Sequence, residues 1–279
     1  MLIDGAAVGG ISPLDRGLHY GDGLFETIAC PNGRPRFLAL HLERLAHGCR
    51  VLGFPSPAMQ QLREEVERLA AAQERSIVKL IVTRGRATVR GYAVSGREQA
   101  TRVVIRYPWA VENPVLQQQG VSVRVAAMRL GENPALAGLK HCNRLEQILA
   151  RSEPGAAAVA ESLMLSRSGN LVCGTMTNMF LVDGSPQSPR LRTPAIDQCG
   201  VAGVMRRVVL REAARAGIAA TECALLPADL AAATEVFLTN ARVGVWPVSR
   251  VEERALTPGP VTRRIQSLLR PLLEDPANG

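Results

Sequence analysis

Of the 33 lysine and arginine side chains in this sequence, only Lys79 and Lys140 are lysines. Lys140 lies in the segment Arg129-Leu-Gly-Glu-Asn-Pro-Ala-Leu-Ala-Gly-Leu-Lys-His-Cys-Asn-Arg-Leu-Glu-Gln147. Asn-Pro and Ala-Gly mark a loop there, and residues 144–150 read as a helix, so a primary amine is held just ahead of a helix start. An amine so placed is a candidate for Schiff-base chemistry. Scarcity of lysine alone would follow from an arginine-rich composition; the loop context carries the argument. Lys79 sits instead in an apolar run over 76–82, where it reads as a strand-edge or snorkelling lysine.

Three further elements offer donors to an anion. Cys199-Gly-Val-Ala-Gly-Val-Met-Arg-Arg207 sets two glycines before an apolar-periodic helix, which would leave the amides of Val204 and Met205 at a helix N-terminus. His41-Leu-Glu-Arg44-Leu45 puts Arg44 on the polar flank of a leucine stripe. Thr239-Asn240-Ala241-Arg242 ends an apolar strand, a common place for ligand contacts in α/β folds. The stretch Asp15-Arg-Gly-Leu-His-Tyr-Gly-Asp-Gly-Leu-Phe-Glu26 reads as a glycine-dense turn entering a strand.

The elements that must position these groups follow from periodicity. The first 107 residues read β, β, α, α, β, β, with strands over 24–30, 76–82 and 102–107 and helices over 38–52 and 57–73. Two prolines around 108–114 mark a linker. Beyond it come strands over 121–127, 162–166, 179–182, 235–239 and 245–251, with helices over 144–152, 203–216 and 261–273 and a strand start after Ala216. The expectation is a two-domain α/β (α+β) chain, 1–110 and 111–279, the second domain carrying the lysine.

Hydrophobic residues at 47% and charged ones at 21% describe a folded globular protein. The net charge of +8 comes with arginines interleaved with acids and only 4% aromatics, which argues against nucleic-acid binding. Six cysteines without metal spacing argue against structural zinc. No basic leader or long apolar run is apparent, so free thiols in a cytoplasmic protein without a membrane segment are expected.

Arg16-Gly, Gly21-Asp-Gly-Leu-Phe-Glu26, the 41–45 helix, Lys140 and the 199–206 segment together resemble the fold-type IV pyridoxal-phosphate enzymes over about residues 3–248. The lysine segment, with Arg84-Gly and Arg90-Gly-Tyr92, resembles the aminodeoxychorismate lyase subgroup among them. This resemblance implies a cofactor, pyridoxal 5'-phosphate, between two domains, anchored by Lys140 and held at its phosphate by Arg44, the amides of Val204 and Met205, and Asn240 and Ala241. It also implies a homodimer acting on 4-amino-4-deoxychorismate, with Lys140 moving the proton in an elimination that releases pyruvate. Aminotransferases of the same fold are the alternative, and a non-catalytic anion-binding protein is the rival from another class. A substrate with two carboxylates calls for cationic partners, for which Arg84 and Arg90 are the candidates, with Tyr107 as a ring or hydroxyl contact. The pattern departs at Cys173, where the family usually has a glutamate that keeps the pyridine nitrogen protonated. Thr175 and Thr177 are the neighbours able to hydrogen-bond the cofactor there, and Glu161 reads as a strand cap.

Overall fold

A computed structural model describes residues 1–7, 9–87, 89–109, 113–185 and 187–274. The chain packs as two compact units, one built from Met1–Ala110 and Leu139–Asn143, the other from Val111–Gly138 and Arg144–Leu273. The boundary expected between 110 and 111 lies outside the described residues.

The first unit contains β1 (Leu2–Ile3), α1 (Arg16–Tyr20), β2 (Gly23–Pro31), α2 (Leu38–Leu52), α3 (Met59–Ala71), β3 (Arg75–Thr83) and β4 (Thr101–Pro108). Its strands form an antiparallel sheet in the order β1-β4-β3-β2. Side chains alternate across it. Leu24, Ile28, Val78, Leu80, Val82 and Val104 are buried on one face. The stripes Leu38/Leu42/Leu45/Cys49 of α2 and Leu62/Val66/Ala70 of α3 are buried too, and these helices pack on β2 and on β3 and β4 respectively. The other face carries Phe25, Thr27, Lys79, Ile81 and Ile105, all half-buried. Because β3 is flanked by β2 and β4, Lys79 lies inside the sheet, which corrects the strand-edge reading.

The glycine-dense turn is a short helix. Asp15 caps α1 by accepting the N–H of Gly17 at 2.8 Å, and Gly21 closes it at φ 64°. A Cβ on Gly17 would stand 2.2 Å from a methyl of Thr83, so only glycine lets α1 lie against β3.

The expectation that Lys140 belongs to the second unit is also corrected. Phe25 N–H donates to the Lys140 carbonyl at 2.9 Å, and Cys142 N–H donates to the Gly23 carbonyl at 2.9 Å. The open edge of β2 has backbone donors and acceptors to satisfy, and the lysine segment satisfies them.

The second unit holds α4 (Pro114–Gln119), β5 (Val121–Leu130), α5 (Leu145–Ser152), β6 (Glu161–Ser166), β7 (Leu171–Gly174), β8 (Asn178–Ser185), β9 (Ser188–Pro194), α6 (Val204–Arg215), β10 (Ala219–Cys223), α7 (Pro227–Ala232), β11 (Glu235–Asn240), β12 (Gly244–Val251), β13 (Arg254–Ala255) and α8 (Pro260–Glu274). Its mixed sheet runs β10-β9-β8-β11-β12-β5-β6-β7, with β13 on β12. Val121, Leu163, Met179, Leu181, Val236, Leu238 and Trp246 form its core. Proline at the first turn of α4, capped by Asn113, starts a helix at the end of the expected linker, of which residues 110–112 lie outside the described residues.

Candidate active site

Within the first unit the lysine sits over an aromatic ring. Lys140 Nζ is 4.4 Å from the centroid of Phe25, and Lys79 Nζ is 5.3 Å from the same centroid. Phe25 also ties down the Lys140 main chain, so β2 fixes the amine through both backbone and ring.

The next residue, Glu26, points to the opposite face, where α2 brings His41 and Arg44 together by their three-residue spacing. Arg44 Nε donates to Glu26 Oε1 at 2.8 Å, its Nη2 donates to Oε2, and His41 Nδ1 lies 2.6 Å from Oε2. Burial alone would raise the Glu26 carboxyl, but the Arg44 charge and the hydrogen bonds from Arg44 and His41 outweigh it and hold it at about 2. Burial pushes His41 below the ordinary histidine value against the pull of Glu26. A neutral imidazole beside an ionised carboxylate donates from Nδ1, leaving Nε2 an acceptor; that atom is buried and has no partner among the described residues.

A depressed carboxyl contributes stability that is present above its unfolded value, near 4.5, and lost as pH falls toward about 2. Glu26→Gln should therefore cost roughly 3 kcal/mol at pH 7, and the gap from wild type should narrow at pH 3. Urea midpoints at the two pH values measure this; an equal gap at both would show that the charge of Glu26 contributes nothing.

In the second unit, Cys173, Thr175 and Thr177 lie at the end of β7 and in the turn to β8. Glu161 organises that turn. Its carboxylate accepts from the amides of Ser162 (2.9 Å), Thr175 (3.0 Å) and Met176 (3.0 Å) and from the hydroxyls of Thr175 and Thr177. The two threonine hydroxyls thus donate inward to Glu161, whose role exceeds the strand cap expected of it. A Cβ at Gly174 would stand 2.3 Å from Thr177 Oγ1, so the turn closes only over glycine.

Two bonds join this turn to the loop before α6 and to the β11–β12 turn. Asn178 Nδ2 donates to the Val201 carbonyl at 2.9 Å, and Asn240 Nδ2 donates to the Met176 carbonyl at 3.3 Å. The first fixes the loop before α6, where no side chain caps the helix and Gly203 occupies the cap position. A Cβ on Gly203 would stand 2.0 Å from Asn178 Oδ1. Val204 and Met205 accordingly begin a helix whose first-turn amides face no side-chain acceptor, the donor set an anion uses. The Asn240 side chain accepts from the amides of Arg242 and Val243 at 2.9 Å each. It builds the β11–β12 turn, and Asn240 pairs with Gly244 in the ladder that the turn closes. Asn178 was missed from sequence; the polar run after Gly174 was its only signal.

Cys173 is buried among Met164, Val172, Leu130 and Cys199. Burial, helped by Glu161 and Cys199, pushes its thiol up to about 12. It is a neutral thiol at physiological pH, not a substitute carboxylate.

The substrate-binding expectations fare differently. Arg84 is a correction. Its Nε donates to Asp22 at 2.7 Å, Nη1 to the Gly53 carbonyl at 2.9 Å and Nη2 to the Leu52 carbonyl at 2.7 Å. The guanidinium is spent on the C-terminal end of α2, a site cations favour. Arg90 is exposed, next to the carbonyls of Gly91, Tyr92 and Ala93 that accept from the buried Arg16. Tyr107 pairs with Ile77 and shares the half-buried face with Lys79.

Comparison with known proteins decides the family. The model of amino-transferase class IV matches residues 23–251. The chain belongs to the class IV aminotransferase family. Among members of this class, the aminodeoxychorismate lyase of Vibrio harveyi is 33% identical over 259 residues, covering 91% of this chain and 94% of the relative. The crystal structure of 4-amino-4-deoxychorismate lyase from Pseudomonas aeruginosa superimposes with a TM-score of 0.91 at 42% identity, covering 98% of this chain and 99% of that one. The branched-chain amino acid aminotransferase of Escherichia coli shares the fold, with a TM-score of 0.86 at 23% identity over 97% of this chain and 93% of its own.

Proposed function

We propose that this class IV aminotransferase homologue is a lyase that converts 4-amino-4-deoxychorismate to p-aminobenzoate and pyruvate, with pyridoxal 5'-phosphate as cofactor. The observation that carries the reading is the 42% identity to the Pseudomonas lyase across 98% of the chain. The donor set fits the cofactor. Each unit holds donors of the kind it needs: an amine at Lys140 and a guanidinium at Arg44 in the first, and the uncapped start of α6 at Val204 and Met205 in the second, where a helix N-terminus suits a dianionic phosphate.

Bound there, pyridoxal phosphate supplies the sink for the electron pair left at the amine-bearing carbon. Lys140 would hold the cofactor at rest, and its Nζ, once free, would take the proton from the amine-bearing carbon and could return it to the departing enolpyruvate. The bond from the adjacent carbon to the enolpyruvyl oxygen then breaks, and the ring becomes aromatic. Aromatisation provides much of the driving force, which fits a neutral thiol at Cys173 where an aminotransferase needs a carboxylate. The rest of the reading is a cytoplasmic homodimer; among the described residues, no helix is long and apolar enough to cross a membrane.

Lyase and aminotransferase differ in stoichiometry. A lyase returns to its starting form each cycle, because the amine leaves with the aromatic product. The purified protein, given substrate generated from chorismate, glutamine and the upstream synthase, should yield equal p-aminobenzoate and pyruvate over many turnovers without a keto acid. Turnover that requires a keto acid and produces amino acid in proportion would replace the lyase by an aminotransferase.

A further inference from the structure

Glu161 is fully buried, and among the described residues every group that donates to it is neutral: the amides of Ser162, Thr175 and Met176 and the hydroxyls of Thr175 and Thr177. The buried carboxylates of Glu26 and Glu65 each face a guanidinium instead. A charge balanced by dipoles alone keeps a field that reaches its neighbours, and the Cys173 thiol beside the turn is raised in part by it. Thr177 is buried with the carboxylate, whereas Thr175 is half-buried. A hydroxyl that has given its proton to Glu161 has lone pairs left to offer, and the carboxylate behind it makes it a stronger acceptor. At Thr175 a ligand can reach that acceptor. The same turn is tied to the loop before α6 by the Asn178 bond to the Val201 carbonyl, so the acceptor and the helix start stand in one neighbourhood.

Resting on the cofactor reading above, we propose that Glu161, acting through the Thr175 hydroxyl, holds the pyridine nitrogen of pyridoxal 5'-phosphate in its protonated form. Protonated, that nitrogen is the cationic donor of the ring, while the phosphate is anionic and seeks donors of its own at a helix start. A hydroxyl backed by a carboxylate favours the cationic form of a group that donates to it. The neutral thiol of Cys173 supplies no such charge. Glu161 is thus a positioning residue, which reaches the cofactor only through a threonine. The charges that act on this end of β7 are those of Glu161 and of Arg144 at the start of α5, and they pull the Cys173 thiol in opposite directions. The nitrogen stays protonated only where Glu161 prevails.

The test loads the protein with pyridoxal 5'-phosphate carrying nitrogen-15 in the ring and follows the nitrogen shift against pH. Wild type should keep the nitrogen protonated at pH 7. Thr175→Val removes the acceptor but leaves Glu161 the three amides and Thr177. It should lower the titration midpoint by about one pH unit or more, roughly tenfold in the protonation equilibrium, and Thr175→Ser should restore it. Glu161→Gln, which keeps the size and removes the charge, should lower the midpoint at least as far; should that variant not fold, the two Thr175 variants still decide. A purely structural role would change thermal stability and cofactor affinity but leave the midpoint in place. A midpoint that Thr175→Val does not move, or a wild-type nitrogen that is unprotonated at pH 7, would overturn the assignment. Wild type that takes up no labelled cofactor and shows no visible band would sink the cofactor reading itself, and this assignment with it.

Discussion

Lys140→Ala should fold as wild type does and lose at least about four orders of magnitude in turnover, since in the proposed function it removes both the covalent anchor and the proton-transfer group. The fold should survive because the attachment of the lysine segment to β2 uses main-chain groups of Lys140 and Cys142, which alanine retains. Loss of the contact over Phe25 costs about 1 kcal/mol. The visible band of the cofactor-loaded protein, and its disappearance on borohydride treatment, should both be absent. Lys79→Met is the matched comparison, with a lysine over the same ring exchanged and the band retained. If instead the Lys79 variant lost the band and the Lys140 variant kept it, the anchoring amine would be Lys79.

That comparison shows where sequence reading stopped. Two lysines stood out from composition, and the structure places Lys140 outside helix and strand and Lys79 within β3, as the loop and strand readings expected. Alternation along 76–82 told which residues share a face with Lys79 but not which strands flank β3, since strand order is a tertiary property. The two substrate carboxylates were assigned to Arg84 and Arg90, each of an Arg-Gly pair in a segment resembling the lyases. Nothing local reveals that the Leu52 and Gly53 carbonyls and Asp22 stand within reach of the Arg84 guanidinium. The long elements were legible because each repeats a burial pattern over two or more turns or several alternations. Helix α1 was not, because its five residues include a glycine and its stop is another; local propensity reads such a stretch as a turn. Asn240 ends β11 and Ala241 follows it, where the strand end was expected. That the Asn240 side chain is consumed by its own turn depends on backbone geometry that residue type leaves open.

Arg44→Ala carries the second large effect, and the structure complicates it usefully. If Arg44 is a partner of the cofactor phosphate, its loss should weaken pyridoxal 5'-phosphate by about 2 to 4 kcal/mol, roughly 30- to 1000-fold. Yet Arg44 also neutralises the buried Glu26, so the same substitution leaves that carboxylate with His41 alone and disturbs α2 whatever happens at the phosphate. Two comparisons separate the roles. Pyridoxal, which lacks the phosphate, should bind Arg44→Ala and wild type with similar affinity, since the lost interaction is with the missing group. In a Glu26→Gln background the stability cost of Arg44→Ala should shrink, because no carboxylate is left to strand, while the loss in pyridoxal 5'-phosphate affinity should persist. Equal losses for pyridoxal and its phosphate would mean that Arg44 acts only through Glu26, holding α2 to β2, and would leave the start of α6 and the β11–β12 turn as the phosphate's remaining donors.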